Sequence, residues 1–315
     1  MSSENSVKKI LVTGSNGLLG QKLVYALYKR QDVNLVATSR GENRLGEKSG
    51  YVYEPLDITD KEQVKKIISK HQPDCIINTA AMTNVDACEI RREECRLINV
   101  AAVENIVSSI SGSKTHLIHL STDFVFDGSS GPYSEEDIPN PLSYYAQSKY
   151  DSEKVVMQPE NPWAIIRTII IYGVSENMSR LNLILWALKS LRSGEKIRVV
   201  TDQYRAPTLA EDLADACISA ALKNKQGVYH VSGSKTMSII EIVKEVAGYF
   251  GLDKKLIEPV SSSSLNQPAP RPPRTGFIID KAIRELDYHP HTLIEGLAIV
   301  KKQLIETGWL SDSKD

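Results

Sequence analysis

Short apolar runs alternate with stretches of helical periodicity through the first two thirds of the chain. Residues 10–12, 33–38, 51–56, 75–78, 116–120 and 163–172 are rich in β-branched and aromatic side chains and read as strands. The last run, WAIIRTIIIY, is apolar almost throughout, as expected of a strand covered on both faces of its sheet. Helical character follows the first strand over 18–28, the third over 61–71 with Thr59 or Asp60 as its cap, and the fourth over 94–110. Six strands alternating with helices predict an α/β fold with a doubly wound, Rossmann-type parallel sheet. In such a sheet the ligand lies beyond the carboxyl ends of the strands, where Gly14, Asn78, Thr122 and Tyr172 fall.

After Gly173 the alternation weakens. Helices are expected over 181–191, 209–222 with Thr208 as cap, 238–250 and 293–306, and strands over 197–200 and 228–231. The segment 259–276 holds four consecutive serines, five prolines, Arg271 and Arg274, and reads as a loop or an ordered clamp. The two arginines suit a diphosphate, and suit a solvated linker equally well. The resulting division places a dinucleotide-binding domain at 1–173 with 201–233, and a smaller α/β substrate domain at 174–200 with 234–315.

Composition narrows the function classes. Of 315 residues, 41% are hydrophobic and 24% charged, and the net charge is -1, so neither nucleic acid nor an anionic membrane is an expected partner. MSSENSVKK has no apolar core like that of a signal peptide, and no run approaches the ~18 apolar residues of a membrane span, so a cytoplasmic location is expected. Cys75, Cys88, Cys95 and Cys217 form no C-x-x-C pair; unpaired thiols are expected, without a metal or disulfide role.

Chemistry concentrates at four places. In KKILVTGSNGLLG, Gly14, Gly17 and Gly20 recur at spacing three between a strand and a helix. Together with Asn16, Leu18 and Leu19 they make a turn whose bare N–H groups and helix dipole face a pyrophosphate. The second strand ends in Ser39 and Arg40, where an NAD site would present a carboxylate. A hydroxyl and a guanidinium there suit a 2′-phosphate, and so NADP in preference to NAD. Asp57 and Ile58 follow the third strand within reach of an adenine, and the small residues Thr79, Ala80 and Ala81 after the fourth permit close approach of a ligand. Asn99 is a polar position on an otherwise packable helix. Finally, Thr122 ends the fifth strand, and Tyr145 and Lys149 stand four apart, on one face of a helix. A phenol, an ammonium and a hydroxyl together make a proton-donating site, in which the ammonium is expected to lower the phenol pKa from about 10. Taken alone, the Tyr-x-x-x-Lys pair is equally consistent with a solvated helix face.

In order and spacing, Gly14/Gly17/Gly20, Thr122 and Tyr145-x-x-x-Lys149 resemble the extended short-chain dehydrogenase/reductase family. NTAAMTNVDACE (78–89), STDFVFDG (121–128), RTIIIYG (167–173), DQYRAPT (202–208) and RPPRTGFIID (271–280) are most similar to its dTDP-4-dehydrorhamnose reductases. The resemblance implies a sugar-nucleotide substrate, a place in dTDP-L-rhamnose and polysaccharide biosynthesis, and a homodimer as the assembly to look for. It also implies that Tyr145 donates a proton to the substrate carbonyl as the nicotinamide delivers hydride. Lys149 would hold the nicotinamide ribose, Thr122 would hydrogen-bond the carbonyl oxygen, and Thr83, Val85 and Asp123 would line the sugar pocket. Three positions depart from the reductases. Phe124 stands where an aromatic hydroxyl is usual, Ile170 where tryptophan is usual, and Arg205 where glycine is usual. All three are expected at the sugar site, where they alter its walls.

Two rivals carry their own signals. A dehydratase needs an Asp-Glu pair after the threonine, and here Asp123 and Phe124 follow it; an epimerase fits STDFVFDG poorly. A non-catalytic NADP-binding regulatory subunit, like the methionine adenosyltransferase beta subunit, shares this ancestry and differs by lacking turnover.

Overall fold

Seven parallel strands form the central sheet in the computed structural model, which describes residues 7–158, 160–178 and 180–310. They are β1 (Lys8–Thr13), β2 (Val33–Ser39), β3 (Val52–Pro55), β4 (Cys75–Asn78), β5 (His116–Thr122), β6 (Trp163–Thr168) and β7 (Gly227–Val231). Their order across the sheet is β7-β6-β5-β4-β1-β2-β3. The order reverses between β1 and β4, which opens a crevice at the carboxyl ends of these two strands. The register sets Thr13 beside Asn78 and Asn78 beside His119, so one row of polar residues crosses β1, β4 and β5 at that crevice.

Both faces of the sheet are covered, which is why the strands are nearly continuous in apolar residues. On one face Ile10, Val12 and Ile77 pack beneath Leu23, Val24 and Leu27 of α1 (Leu18–Leu27). Leu11, Ile76 and Leu117 point to the other face. There they meet Val64 and Ile67 of α2 (Lys61–His71) and Val103 and Ile106 of α3 (Ala102–Ile110). Asp60 caps α2, accepting from the N–H groups of Glu62 and Gln63 at 3.0 Å each. Helix α4 (Tyr144–Met157) follows β5 and carries the tyrosine and lysine.

A second hydrophobic cluster is built from α5 (Leu183–Arg192), α7 (Ile239–Tyr249) and α8 (Leu293–Glu306). Val199 and Ile257 join it from a two-stranded parallel pair, Ile197–Val200 with Ile257–Val260. Between the two clusters runs α6 (Ala210–Leu222), whose Leu213, Ala216 and Cys217 pack on the first. Phe277, Ile279, Ala282 and Tyr288 also return to the first cluster. The four cysteines are free and buried. Among the described residues no helix is long and apolar enough to cross a membrane. The MSSENS start lies outside the described residues.

Four local expectations are corrected. The run 163–172 is not one strand: β6 ends at Thr168, and Ile171–Tyr172 pairs instead with Thr208–Leu209. The Thr208 N–H and hydroxyl donate to the carbonyls of Ile170 and Ile169 at 3.1 and 2.7 Å, which draws the backbone out of the sheet and leaves Ile170 at φ +29°. Thr208 therefore bridges strands and does not cap α6, which follows Leu209 without a side-chain cap. Helical structure after β4 starts earlier than residue 94, at Val85–Ile90 behind an Asn84 cap, breaks at Arg91, and includes a π turn at Leu97–Ala101 before α3. Tyr172 is not at the crevice; it is buried in the second cluster, so close to Gly296 that a Cβ there would overlap its hydroxyl.

Candidate active site

The glycine turn is a cradle that side chains would fill. Gly14 has φ +69°, and a Cβ there would lie 2.8 Å from Thr79 Oγ1 and 2.9 Å from the Ala80 nitrogen. A Cβ on Gly20 would overlap the Gly14 carbonyl oxygen. Gly17 precedes α1 and provides no side-chain cap, so the first-turn N–H groups at Leu18 and Leu19 are left for an anion. Ser15 Oγ is buried there without a hydrogen-bond partner. These features fit a dinucleotide pyrophosphate.

The neighbouring loop is fastened by Asn16. Its Nδ2 donates to the Glu42 carbonyl at 2.8 Å, and its Oδ1 accepts from the Arg44 N–H at 2.9 Å. Asn16 therefore acts on the protein through its side chain, and Arg44 joins Arg40 as a second exposed guanidinium in one loop after β2. Ser39 is the last residue of β2. Asp57 turns one oxygen inward, accepting from the Thr59 N–H and hydroxyl at 2.9 and 2.7 Å, while Ile58 is buried in the core. Thr79 donates to the Thr13 carbonyl at 2.6 Å and brings Ala80 and Ala81 to the mouth of the crevice.

Thr122, Tyr145 and Lys149 converge where β5 meets α4. Ser143 caps α4, accepting from the Ala146 N–H at 3.3 Å, and this sets the helical phase that turns Tyr145 and Lys149 inward. Tyr145 is 8% exposed and Lys149 3%. The Phe124 ring meets the Tyr145 ring edge-on, with centroids 6.1 Å apart. Burial raises the Tyr145 pKa well above 10, and the Thr122 hydroxyl, which favours the phenolate, offsets this only in part. This is opposite to the expected lowering by Lys149: burial sets the direction, and the Lys149 ammonium lies beside His119, 3.2 Å from Nε2. The phenol thus stays protonated, the form a proton donor needs. Burial also pushes Lys149 down to about 8, against the nearby Glu153 carboxylate.

A strap formed by residues 269–276 closes the far side. Arg205, only 2% exposed, donates to the Pro272 and Tyr204 carbonyls at 2.7 Å each. Its Nε lies 3.5 Å from Asp123 Oδ2, and its guanidinium lies over the Phe124 ring, 5.2 Å from the centroid. Asp123 also accepts from the Thr122 hydroxyl at 3.1 Å and from the Thr275 hydroxyl. Burial pushes this carboxyl up, and Arg205, Thr275 and Thr122 hold it back. Arg271 pairs with Asp86 through two hydrogen bonds of 3.1 and 2.7 Å, tying the strap to the helix after β4.

Residues 8–304 match the family model described as the RmlD substrate binding domain. The chain belongs to this family. Among its relatives, the methionine adenosyltransferase 2 subunit beta of Xenopus laevis is 32% identical over 272 residues, 84% of this chain and 78% of that one. The probable low-salt glycan biosynthesis reductase Agl14 of Haloferax volcanii is 30% identical over 292 residues, 92% of this chain and 96% of that one. The crystal structure of a dTDP-4-dehydrorhamnose reductase from Bacillus anthracis in complex with NADP superposes with a TM-score of 0.80 at 27% identity, covering 94% of this chain and 99% of that chain.

Within this RmlD-family chain, the expected ligand contacts divide into two groups. Val85 and Phe124 pack with Tyr145 in one small cluster, Thr83 is exposed at the head of the same helix, and Ile170 is half-buried between the two large clusters. Three others spend polar atoms on the protein. Asp123 and Arg205 face each other and the strap, because two buried charges are satisfied by pairing. Asn99 spends its amide on Met82, accepting from its N–H at 2.8 Å and donating to its carbonyl at 3.1 Å, and also donates to Ser148 Oγ at 3.0 Å. It shapes the loop after β4 from behind. His119 and Thr275 were not anticipated. A histidine inside an otherwise apolar strand was the available signal for the first; the second is placed by the strap and has no local signal.

Proposed function

We propose that the chain is an NADP(H)-dependent reductase acting on the 4-keto group of a nucleotide-linked deoxy sugar, with dTDP-4-dehydrorhamnose as first candidate. The observation that carries this reading is the buried Tyr145 phenol set with Lys149 on one face of α4, next to Thr122 at the carboxyl end of β5. When bound, the nicotinamide supplies the hydride. Tyr145 gives its proton to the carbonyl oxygen, Thr122 orients that oxygen, and Lys149 holds the ribose and favours the phenolate left behind. Phe124, Val85 and Ile170 form apolar walls for the sugar, and Arg271, held in place by Asp86, turns its remaining N–H groups to the diphosphate. The NADP in the Bacillus anthracis structure and the reductase name of the Haloferax volcanii relative support the reading. The test is NADPH oxidation by the pure protein across a panel of nucleotide-4-keto-sugars, and turnover with at least one is expected.

The relationship to methionine adenosyltransferase beta subunits favours one second reading, a regulatory subunit that binds NADP without turning over. Absence of turnover across the panel selects it.

Arg40 and Arg44 together support NADPH over NADH. Arg40→Ala is expected to weaken NADPH by roughly tenfold or more, the loss of one charge-assisted contact of about 1.5–3 kcal/mol, and to leave NADH nearly unchanged. Titration of both cofactors against both proteins measures this, and equal losses contradict it.

A further inference from the structure

The loop after β2 that carries Arg40 and Arg44 is fastened from two sides. One side is the glycine turn, where Asn16 Oδ1 accepts from the Arg44 N–H. The other side comes from far along the chain. Asn177 Nδ2 donates to the Arg44 carbonyl at 2.9 Å, so both backbone polar groups of Arg44 are held. Beside it, the Glu176 carboxylate accepts from the Gly46 N–H at Oε2 and from the Tyr25 hydroxyl at Oε1, the latter at 2.5 Å. The approach is close: a Cβ on Gly46 would lie 3.0 Å from Glu176 Oε2. Burial and the Glu176 contact push the Tyr25 phenol up to about 12, so its hydroxyl stays a donor.

The segment that reaches the loop is itself held in place. Gln21 of α1, 1% exposed, bonds the Glu176 backbone twice, accepting from its N–H at 2.8 Å and donating to its carbonyl at 2.9 Å. Val174 on one side and Met178 on the other pack in the second hydrophobic cluster. Residues 174–178 therefore tie that cluster, across α1, to the loop after β2. The Arg44 side chain is exposed and lies near Tyr53: burial pushes the Tyr53 phenol up, and Asn16 and the Arg44 charge hold it back. The Tyr53 hydroxyl donates to the Gly41 carbonyl at 2.8 Å, which sets the Arg44 charge at the end of β2, close to Ser39 and Arg40.

We propose that Glu176, with Asn177, is a positioning residue that seats the loop after β2 so that the Arg44 guanidinium stands where a 2′-phosphate would lie. A segment anchored in the second cluster thereby sets the preference for NADPH over NADH. This role rests on the NADP(H) reading above. NADH carries no 2′-phosphate and gains nothing from where Arg44 stands.

The experiment is titration of the full chain with NADPH and with NADH, without sugar. Glu176→Ala should weaken NADPH by roughly fivefold or more and NADH by less than about twofold. Glu176→Gln keeps an acceptor for the Gly46 N–H and should return most of the NADPH affinity. In an Arg44→Ala background, Glu176→Ala should cost little more, because it acts through that guanidinium. An unchanged NADPH-to-NADH ratio in Glu176→Ala overturns the proposal, and so does a full further loss on top of Arg44→Ala. If Glu176→Ala does not fold, Asn177→Gly decides by the same ratio; glycine keeps the φ of +49° at that position and removes the bond to the Arg44 carbonyl. A wild type that binds both cofactors equally overturns the proposal together with the NADP reading. A wild type that prefers NADPH, with variants that keep the preference, overturns the proposal alone.

Discussion

Replacing Tyr145 with Phe should cut reductive turnover by roughly 10²–10⁴-fold, the range for removal of a general acid, while NADPH binding stays close to wild type. The ring is retained, so its edge-on packing with Phe124 survives and only the hydroxyl is lost. Because burial holds the phenol protonated well above pH 10, Tyr145 itself imposes no acid or alkaline limb near neutrality. The alkaline limb should come from Lys149: its charged form dominates below about 8 and is lost as pH rises through that value. Steady-state rates from pH 6 to 10, with NADPH affinity by fluorescence, measure both effects. Near-normal turnover in Tyr145→Phe removes the phenol from the proposed chemistry.

Arg205→Ala should cost about 3–5 kcal/mol of folding stability, the range for stripping one partner from a buried ion pair. The guanidinium satisfies the Asp123 carboxylate and two backbone carbonyls at once, so its removal leaves a buried acid without its countercharge. Burial already pushes the Asp123 carboxyl up, and loss of the Arg205 charge that holds it back should raise it further. Asp123→Asn in the same background should then cost much less than in wild type, since the two residues contact each other and their effects are not additive. Denaturant unfolding of the two single variants and the double variant gives the coupling directly. Additive losses would separate Arg205 from Asp123. The strap also holds the residue next to Thr122, so turnover should fall further than stability alone explains.

The parallel sheet was legible because both of its faces are buried, and strands covered on both faces spell themselves as apolar runs. The glycine cradle was legible for a related reason: Gly14 and Gly20 leave no room for a Cβ, and that constraint is local. The break at Ile170 was not legible, because Thr208, far along the chain, imposes it through two hydrogen bonds. The inward pairing of Arg205 was not legible for the same kind of reason. The family resemblance implied only a large charged side chain near the sugar site; the carbonyls at 272 and 204 and the Asp123 carboxylate, which draw it inward, come from distant parts of the chain. The direction of the Tyr145 pKa depended on burial, which helix spacing alone does not report.

Transfer of hydride to a sugar ketone is the central claim, and isotopic labelling tests it most directly. The pure protein, saturated with NADPH carrying deuterium at the transferring position of nicotinamide carbon 4, is mixed with nucleotide-4-keto-sugars, and the sugars are read by mass spectrometry and NMR. The account predicts one deuterium at sugar carbon 4 in wild type and almost none on the same timescale in Tyr145→Phe. Full cofactor occupancy with no deuterium in any sugar would contradict it and leave the regulatory subunit as the reading.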